Sequence, residues 1–165
     1  SEQFDTHGGS LRIYVKKDKK AKVEKSVKQM LKDEEKFGIK KFETYKKFGE
    51  KVYKIRENVR KNLKELKKRN NLIIGYGAPA KATTSLNFFG ISNAIDVIIE
   101  DNNLKHNKFI PGVRIPIKDK LNIKNKKNVI LVLAWNFFED IQKNNLNLSE
   151  NFISIKDLEL SLIHI

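Results

Sequence analysis

The stretch Gly75-Tyr76-Gly77-Ala78-Pro79-Ala80-Lys81 carries the spacing G-x-G-x-x-A. Between a strand and a helix, that spacing makes a turn whose backbone approaches a ligand closely. Glycine accepts the positive φ such a turn needs and has no Cβ to hold a ligand off. The helix behind it offers unpaired N–H groups and the positive end of its dipole to an anion. Lys81, Thr83 and Thr84 add a cation and two hydroxyls in the same turn, and Pro79 suits a first helical position, where it has no donor to lose. The lysine is preceded by Ala80 and not by glycine, so this is not the phosphate loop of nucleoside triphosphatases. The glycines could also serve a tight turn and nothing more, but Lys81 and the threonines favour an anion-binding loop.

Two further strand ends have the right composition for a ligand. Glu100-Asp101 begins 23 residues after Gly77 (100 minus 77), about where a dinucleotide fold places an acid on a ribose hydroxyl; a solvated loop acid fits equally. Ala134-Trp135-Asn136 could stack on and hydrogen-bond a sugar or base. Equally, Trp135 could pack while Asn136 caps the next helix. Near the start, His7-Gly8-Gly9-Ser10-Leu11-Arg12 sets a histidine and an arginine beside two glycines, the composition of a functional loop. His106 and His164 have no partners at metal-ligand or triad spacing, and no serine elbow, catalytic carboxylate pair or metal constellation stands out. The residues read as binding without a reaction.

The elements that must position these residues follow from periodicity. Residues 11–15 alternate as a strand, and a helix is expected over 21–37, ended by Gly38. The next helix is the clearest signal: Phe42, Tyr45, Phe48, Val52, Ile55, Val59, Leu63 and Leu66 recur at steps of three and four, with Gly49 as a potential kink and Asn70-Asn71 as the stop. Strands are then expected at 72–76, 94–99, 113–117, 129–134, 152–155 and 160–165, with helices at 80–89 and 137–144. Alternating strand and helix with apolar strands predicts an α/β fold, a Rossmann-like, mostly parallel sheet with helices on both faces. A strand and a long helical segment precede it, so 1–70 is a lead-in and 71–165 the β-α units of one domain.

Composition narrows the function classes. The 165 residues carry 34 Lys/Arg against 20 Asp/Glu, a net charge of +14. Residues 16–69 hold 22 of the basic and 9 of the acidic residues, a net of +13, which leaves +1 elsewhere. With five arginines in the whole chain and no interleaved aromatics of the base-stacking kind, the excess argues for a solvated lysine face and against nucleic-acid readout. The absence of cysteine fits a reducing cytoplasm, and no apolar run suggests a membrane span or signal peptide. An opening Ser1-Glu2-Gln3-Phe4 and a single methionine at position 30 suggest a piece of a longer protein.

Taken in order, Thr6–Arg12, Gly75–Lys81, Asn87, Gly90-Ile91, Lys105, Pro111-Gly112-Val113-Arg114-Ile115-Pro116-Ile117 and Leu133-Ala134-Trp135-Asn136 resemble the C-terminal domain of SAM-dependent sugar C-methyltransferases. That resemblance implies a domain that closes over a nucleotide-diphosphate deoxy-ketosugar. Its substrate contacts would come from His7, Gly8, Gly9, Ser10, Arg12, Tyr76, Gly77, Ala78, Lys81, Thr83, Asn87, Asp101, Trp135 and Asn136. It also implies that an upstream domain of the same protein binds S-adenosyl-methionine and supplies the acid/base residues. The fragment alone would then methylate nothing and bind no cofactor. In the whole enzyme, deprotonation beside a ketone would precede attack of the enolate carbon on the SAM methyl. Two other classes stay open: an NAD(P)-binding oxidoreductase domain, on the G-x-G-x-x-A turn and the acid after it, and a non-enzymatic polyanion-binding module.

The lysine-face reading has a direct check. At about 150 mM salt, where exposed charges are screened beyond roughly 8 Å, a filter-binding assay with duplex DNA is expected to show no tight complex; retention at that salt would contradict it.

Overall fold

The structure, a computed structural model, describes residues 1–6, 9–18, 20–69, 72–120 and 127–159. His7, Gly8, the Asn70-Asn71 stop and the strand expected at 160–165, with His164, lie outside the described residues. The chain divides into two compact units, Ser1–Lys51 and Val52–Ile165. The division falls inside the long helix and not after it.

In the first unit, β1 (Glu2–Phe4) pairs antiparallel with β2 (Ser10–Arg12). The expected strand at 11–15 is therefore shorter and has an earlier partner. Helix α1 (Lys25–Phe37) starts four residues later than expected. The cause is an Asp18 turn: Lys20 N–H donates to Asp18 Oδ1 at 2.9 Å and Ala21 N–H to Asp18 O at 3.0 Å, a local alternative to the helix. Gly38 ends α1 at φ +85°, its N–H donating to Glu34 O and Glu35 O. Helix α2 (Phe42–Lys68) runs uninterrupted past Gly49, whose missing Cβ would meet nothing within 4 Å. An exposed helical glycine costs only about 1 kcal/mol relative to alanine, too little to break a 27-residue helix.

The second unit is built on a five-stranded parallel sheet in the order β5-β4-β3-β6-β7. Its strands are β3 (Ile73–Tyr76), β4 (Val97–Ile99), β5 (Ile117–Lys118), β6 (Val129–Val132) and β7 (Asn151–Ser154). Alternate strand residues feed two cores. Ile73, Ile98, Leu131 and Leu133 face α2 and α3 (Ala80–Phe89), where Val59, Leu63, Ala82 and Leu86 complete the layer. Ile74, Tyr76, Ile99, Ile130 and Val132 face the other way, toward Phe138 and Ile141 of α4 (Phe138–Asn144). Helices thus cover both faces, as the apolar strands require. The piece expected as a strand over 113–117 is mostly a loop. Arg114 turns at φ +57°, Ile110 N–H donates to Ile115 O at 2.9 Å, and Phe109 bridges Pro116. Pro116 has no N–H to give to a ladder, so pairing with β4 begins at Ile117. β4 also starts late, because Ala94 N–H closes a turn onto Ile91 O at 3.0 Å.

Along α2 the apolar stripe has two fates. Val59 and Leu63 are fully buried, whereas Phe42, Tyr45 and Phe48 are 80%, 57% and 66% exposed. Leu63→Ala is therefore expected to cost about 2–5 kcal/mol, the range for a buried leucine, and Phe42→Ala to stay within about 0.5 kcal/mol. Urea unfolding of both variants measures the contrast; comparable losses would mean the stripe is covered along its whole length.

Candidate functional site

From β3 the chain proceeds to β4 on one side and only later to β6 on the other. The carboxyl ends of β3 and β6 therefore flank a topological switch point, the place where open parallel sheets bind ligands. Gly77 sits there at φ +86°, and its N–H donates to Ile99 O at 2.8 Å. A Cβ at this position would come within 3.1 Å of the Ala134 Cβ, so glycine is required by conformation and by the neighbour. Pro79 holds the N-cap of α3 at φ −73°, ψ 162° and not its first turn; proline's fixed φ suits that extended position.

Here the structure joins two motifs that lie far apart in sequence. The Lys81 ammonium sits 4.3 Å from the centroid of the Trp135 ring, a cation on an aromatic face. Trp135 packs half-buried on the α2–α3 core. It also opens a one-turn 3₁₀ helix, Trp135–Phe137, which moves the N-cap of α4 to Phe137. Asn136 is consequently exposed and does not cap α4.

The acid after β4 has turned inward. Glu100 accepts Ala78 N–H on Oε2 at 2.8 Å and Asn102 N–H on Oε1 at 3.1 Å. Lys105 Nζ donates to the same Oε2 and to Ala78 O, both at 3.1 Å. The Glu100 side chain is 13% exposed. Burial pushes its carboxyl up, but the Ala78 and Asn102 amides and Lys105 outweigh it and hold the group below the ordinary glutamate value. His106 Nε2 lies 2.7 Å from Glu100 O, a structural contact. Neither Lys105 nor Glu100 stood out as a pair in the sequence, although the charges five residues apart (105 minus 100) were visible.

Asp101 anchors a second cluster. Tyr76 OH donates to Asp101 Oδ2 at 2.8 Å, and Lys120 Nζ to Asp101 Oδ1 at 2.8 Å and Asn145 Oδ1 at 3.4 Å. Burial first, and then the Asp101 bond, push the Tyr76 hydroxyl above the ordinary tyrosine value. The Asp101 carboxyl is held low: burial opposes this, but Lys120 and Tyr76 prevail. Between these clusters and α4 lies an open cleft of about 340 Å³, whose walls include Pro79, Phe137 and Ile141. Phe137, 62% exposed, is a lining residue that its apolar sequence context disguised as core.

The other expected contacts are dispersed. Thr83 is half-buried on α3. Asn87 donates its amide to Thr83 O at 2.8 Å and Pro111 O at 2.9 Å, fastening the Pro111-Gly112 turn to α3. A side chain at Gly112, which lies at φ +81°, would collide with that amide. In the first unit, Ser10 Oγ donates to Thr6 O at 3.0 Å, Gly9 bends at φ +119°, and Arg12 lies 4.5 Å over the Phe4 ring.

The Glu100 arrangement predicts a pH dependence. Because its folded-state pKa is lowered, its stabilisation is present above the unfolded glutamate value of about 4.3. It is lost as pH falls through the depressed folded value. Urea midpoints of wild type and Glu100→Gln should therefore converge below pH of about 4; a gap that widens on acidification would contradict the assignment.

The family described as C-methyltransferase C-terminal domain matches residues 5–153. C-methyltransferase NovU of Streptomyces niveus is 29% identical over 150 residues, which cover 89% of this chain and 36% of that protein. The chain thus spans about a third of the length of the curated relative it matches. The matched residues run from the loop after β1 into β7 and include the Gly77 turn, the Glu100 and Asp101 clusters and Trp135. The chain belongs to the family of C-methyltransferase C-terminal domains.

Proposed function

We propose that this chain is the substrate-side domain of a SAM-dependent C-methyltransferase and that it binds and orients a nucleotide-linked deoxy-ketosugar. The observation that carries the reading is the Lys81 ammonium 4.3 Å over the Trp135 ring at the switch point, in a chain of this family. A cation beside an aromatic face matches a ligand that combines phosphate with a ring. The open cleft toward α4, lined at the same strand ends by Gly77 and Ala134, has the apolar surface of Pro79 and Phe137 and the fixed carboxylate of Asp101, features suited to a hydroxylated ring. In this reading the partner is the rest of the same cytoplasmic protein, and the Lys-rich helices are a solvated face and not a nucleic-acid surface.

S-adenosyl-methionine supplies the methyl group in such a reaction. The donors at the Gly77 turn do not suit an adenosyl group, since Ala78 N–H and the Glu100 carboxylate are bound to each other. The reading therefore assigns the cofactor to the remainder of the full-length protein and derives no step through it here. What this chain contributes is orientation: holding the sugar nucleotide in one pose removes the entropic part of a bimolecular barrier. A nicotinamide-dependent reading is weaker for the same reason, because the acid that would hold the ribose is engaged by Ala78, Asn102 and Lys105.

Lys81 provides the test. A charge-assisted contact to phosphate is worth roughly 1.5–3 kcal/mol, so Lys81→Ala in the full-length enzyme should raise KM for the nucleotide sugar about ten- to hundredfold. The Tm should shift little, because a lysine–tryptophan contact between half-buried residues contributes about 0.5–2 kcal/mol. An unchanged KM would assign Lys81 to packing on Trp135 and remove the reading's main support.

A further inference from the structure

The Glu100 carboxylate accepts from the first amide after the glycine turn, a donor that in a dinucleotide fold is offered to phosphate. There, the anion meets backbone N–H groups after the glycine turn and the positive end of the helix dipole. In this chain the Ala78 N–H already donates to Glu100 Oε2 at 2.8 Å, and Lys105 Nζ reaches the same oxygen at 3.1 Å. The second oxygen takes Asn102 N–H at 3.1 Å, and Lys105 is tied further to Ala78 O at 3.1 Å. Both carboxylate oxygens are thus engaged, and the side chain is 13% exposed.

The position follows from the sheet. Glu100 directly follows β4, and the Gly77 N–H to Ile99 O bond of 2.8 Å draws the turn against that strand end. The side chain at 100 therefore points at the turn it would otherwise leave to a ligand. Glu100 and Lys105 neutralise one another, so a pyrophosphate approaching the Ala78 amide finds that donor taken and its neighbouring cation compensated, while Lys81, over Trp135, is not part of this pair. The pyrophosphate also meets a fixed negative charge at contact distance, which repels it.

We propose that Glu100 is a specificity-determining residue: an internal anion that occupies the Ala78 amide and Lys105, so that the pyrophosphate of a dinucleotide cofactor cannot take that place beside the glycine-rich turn. This goes beyond the sugar-nucleotide reading and does not rest on it, since nothing in it requires Lys81 to touch substrate.

The experiment is a calorimetric titration of inorganic pyrophosphate into the intact protein, wild type against Glu100→Ala, with an NADH fluorescence titration in parallel. Removing the internal anion frees both the Ala78 amide and Lys105. Glu100→Ala should then bind pyrophosphate at least tenfold more tightly than wild type, and Glu100→Ala with Lys105→Ala should return to the wild-type level. Melting curves establish that each variant is folded. If Glu100→Ala unfolds, Glu100→Gln decides, because it keeps an acceptor for Ala78 while releasing Lys105 from its ion pair; a severalfold gain is expected. A folded variant without any gain overturns the proposal, as does wild-type protein that binds pyrophosphate as tightly as the variants.

Discussion

The close approach of three strand ends at Gly77 is the constraint on which the site depends. The backbone there is tied to Ile99, the last residue of β4, and lies against Ala134 after β6. Two residues earlier, a Cβ at Gly75 would come within 2.7 Å of Ile98 Cγ1 and 3.1 Å of Leu133 Cδ1. Gly75 is thus demanded by the neighbouring Ile98, and Gly77 by its positive φ beside Ala134. Because β3 is central and fully buried, it cannot withdraw from those neighbours, and the turn inherits its position from the sheet. Lys81 meets Trp135, and Glu100 meets Ala78, as consequences of that one placement.

Electrostatics at the sheet's carboxyl edge are largely internal. Glu100 is paired with Lys105 at 3.1 Å, and Asp101 with Lys120 at 2.8 Å. Each pair is reinforced by uncharged donors, the Ala78 and Asn102 amides in one case and the Tyr76 hydroxyl in the other. Exposed ion pairs alone contribute about 0–1 kcal/mol. The value of these pairs lies in geometry: they fix where carboxylates point and leave Lys81, on an aromatic face, as the cation of a different character.

The positive charge lies elsewhere. It is carried by the helical lead-in, whose lysines interrupt the apolar stripe of α2. Among the described residues no helix is long and apolar enough to cross a membrane. The uncovered aromatics Phe42, Tyr45 and Phe48 belong to the same stripe that buries Val59 and Leu63 farther along.

What the residues alone determined was the periodic part of the fold. Apolar runs and glycine stops specified α2, β3, α3, β6 and the parallel α/β class, because burial on both faces leaves a local signature. The G-x-G-x-x-A stretch was likewise legible as a glycine turn between β3 and α3. Tertiary structure decided everything that depends on what lies opposite. It shortened the 113–117 strand, since Pro116 and the left-handed Arg114 break pairing that composition permits. It made Asn87 a strut for Pro111 and moved the α4 cap from Asn136 to Phe137. Above all it turned Glu100 from a candidate ribose acid into the partner of Ala78. The identity of a hydrogen-bond partner 22 residues away is set by the register of β3 against β4, and local sequence carries no record of that register.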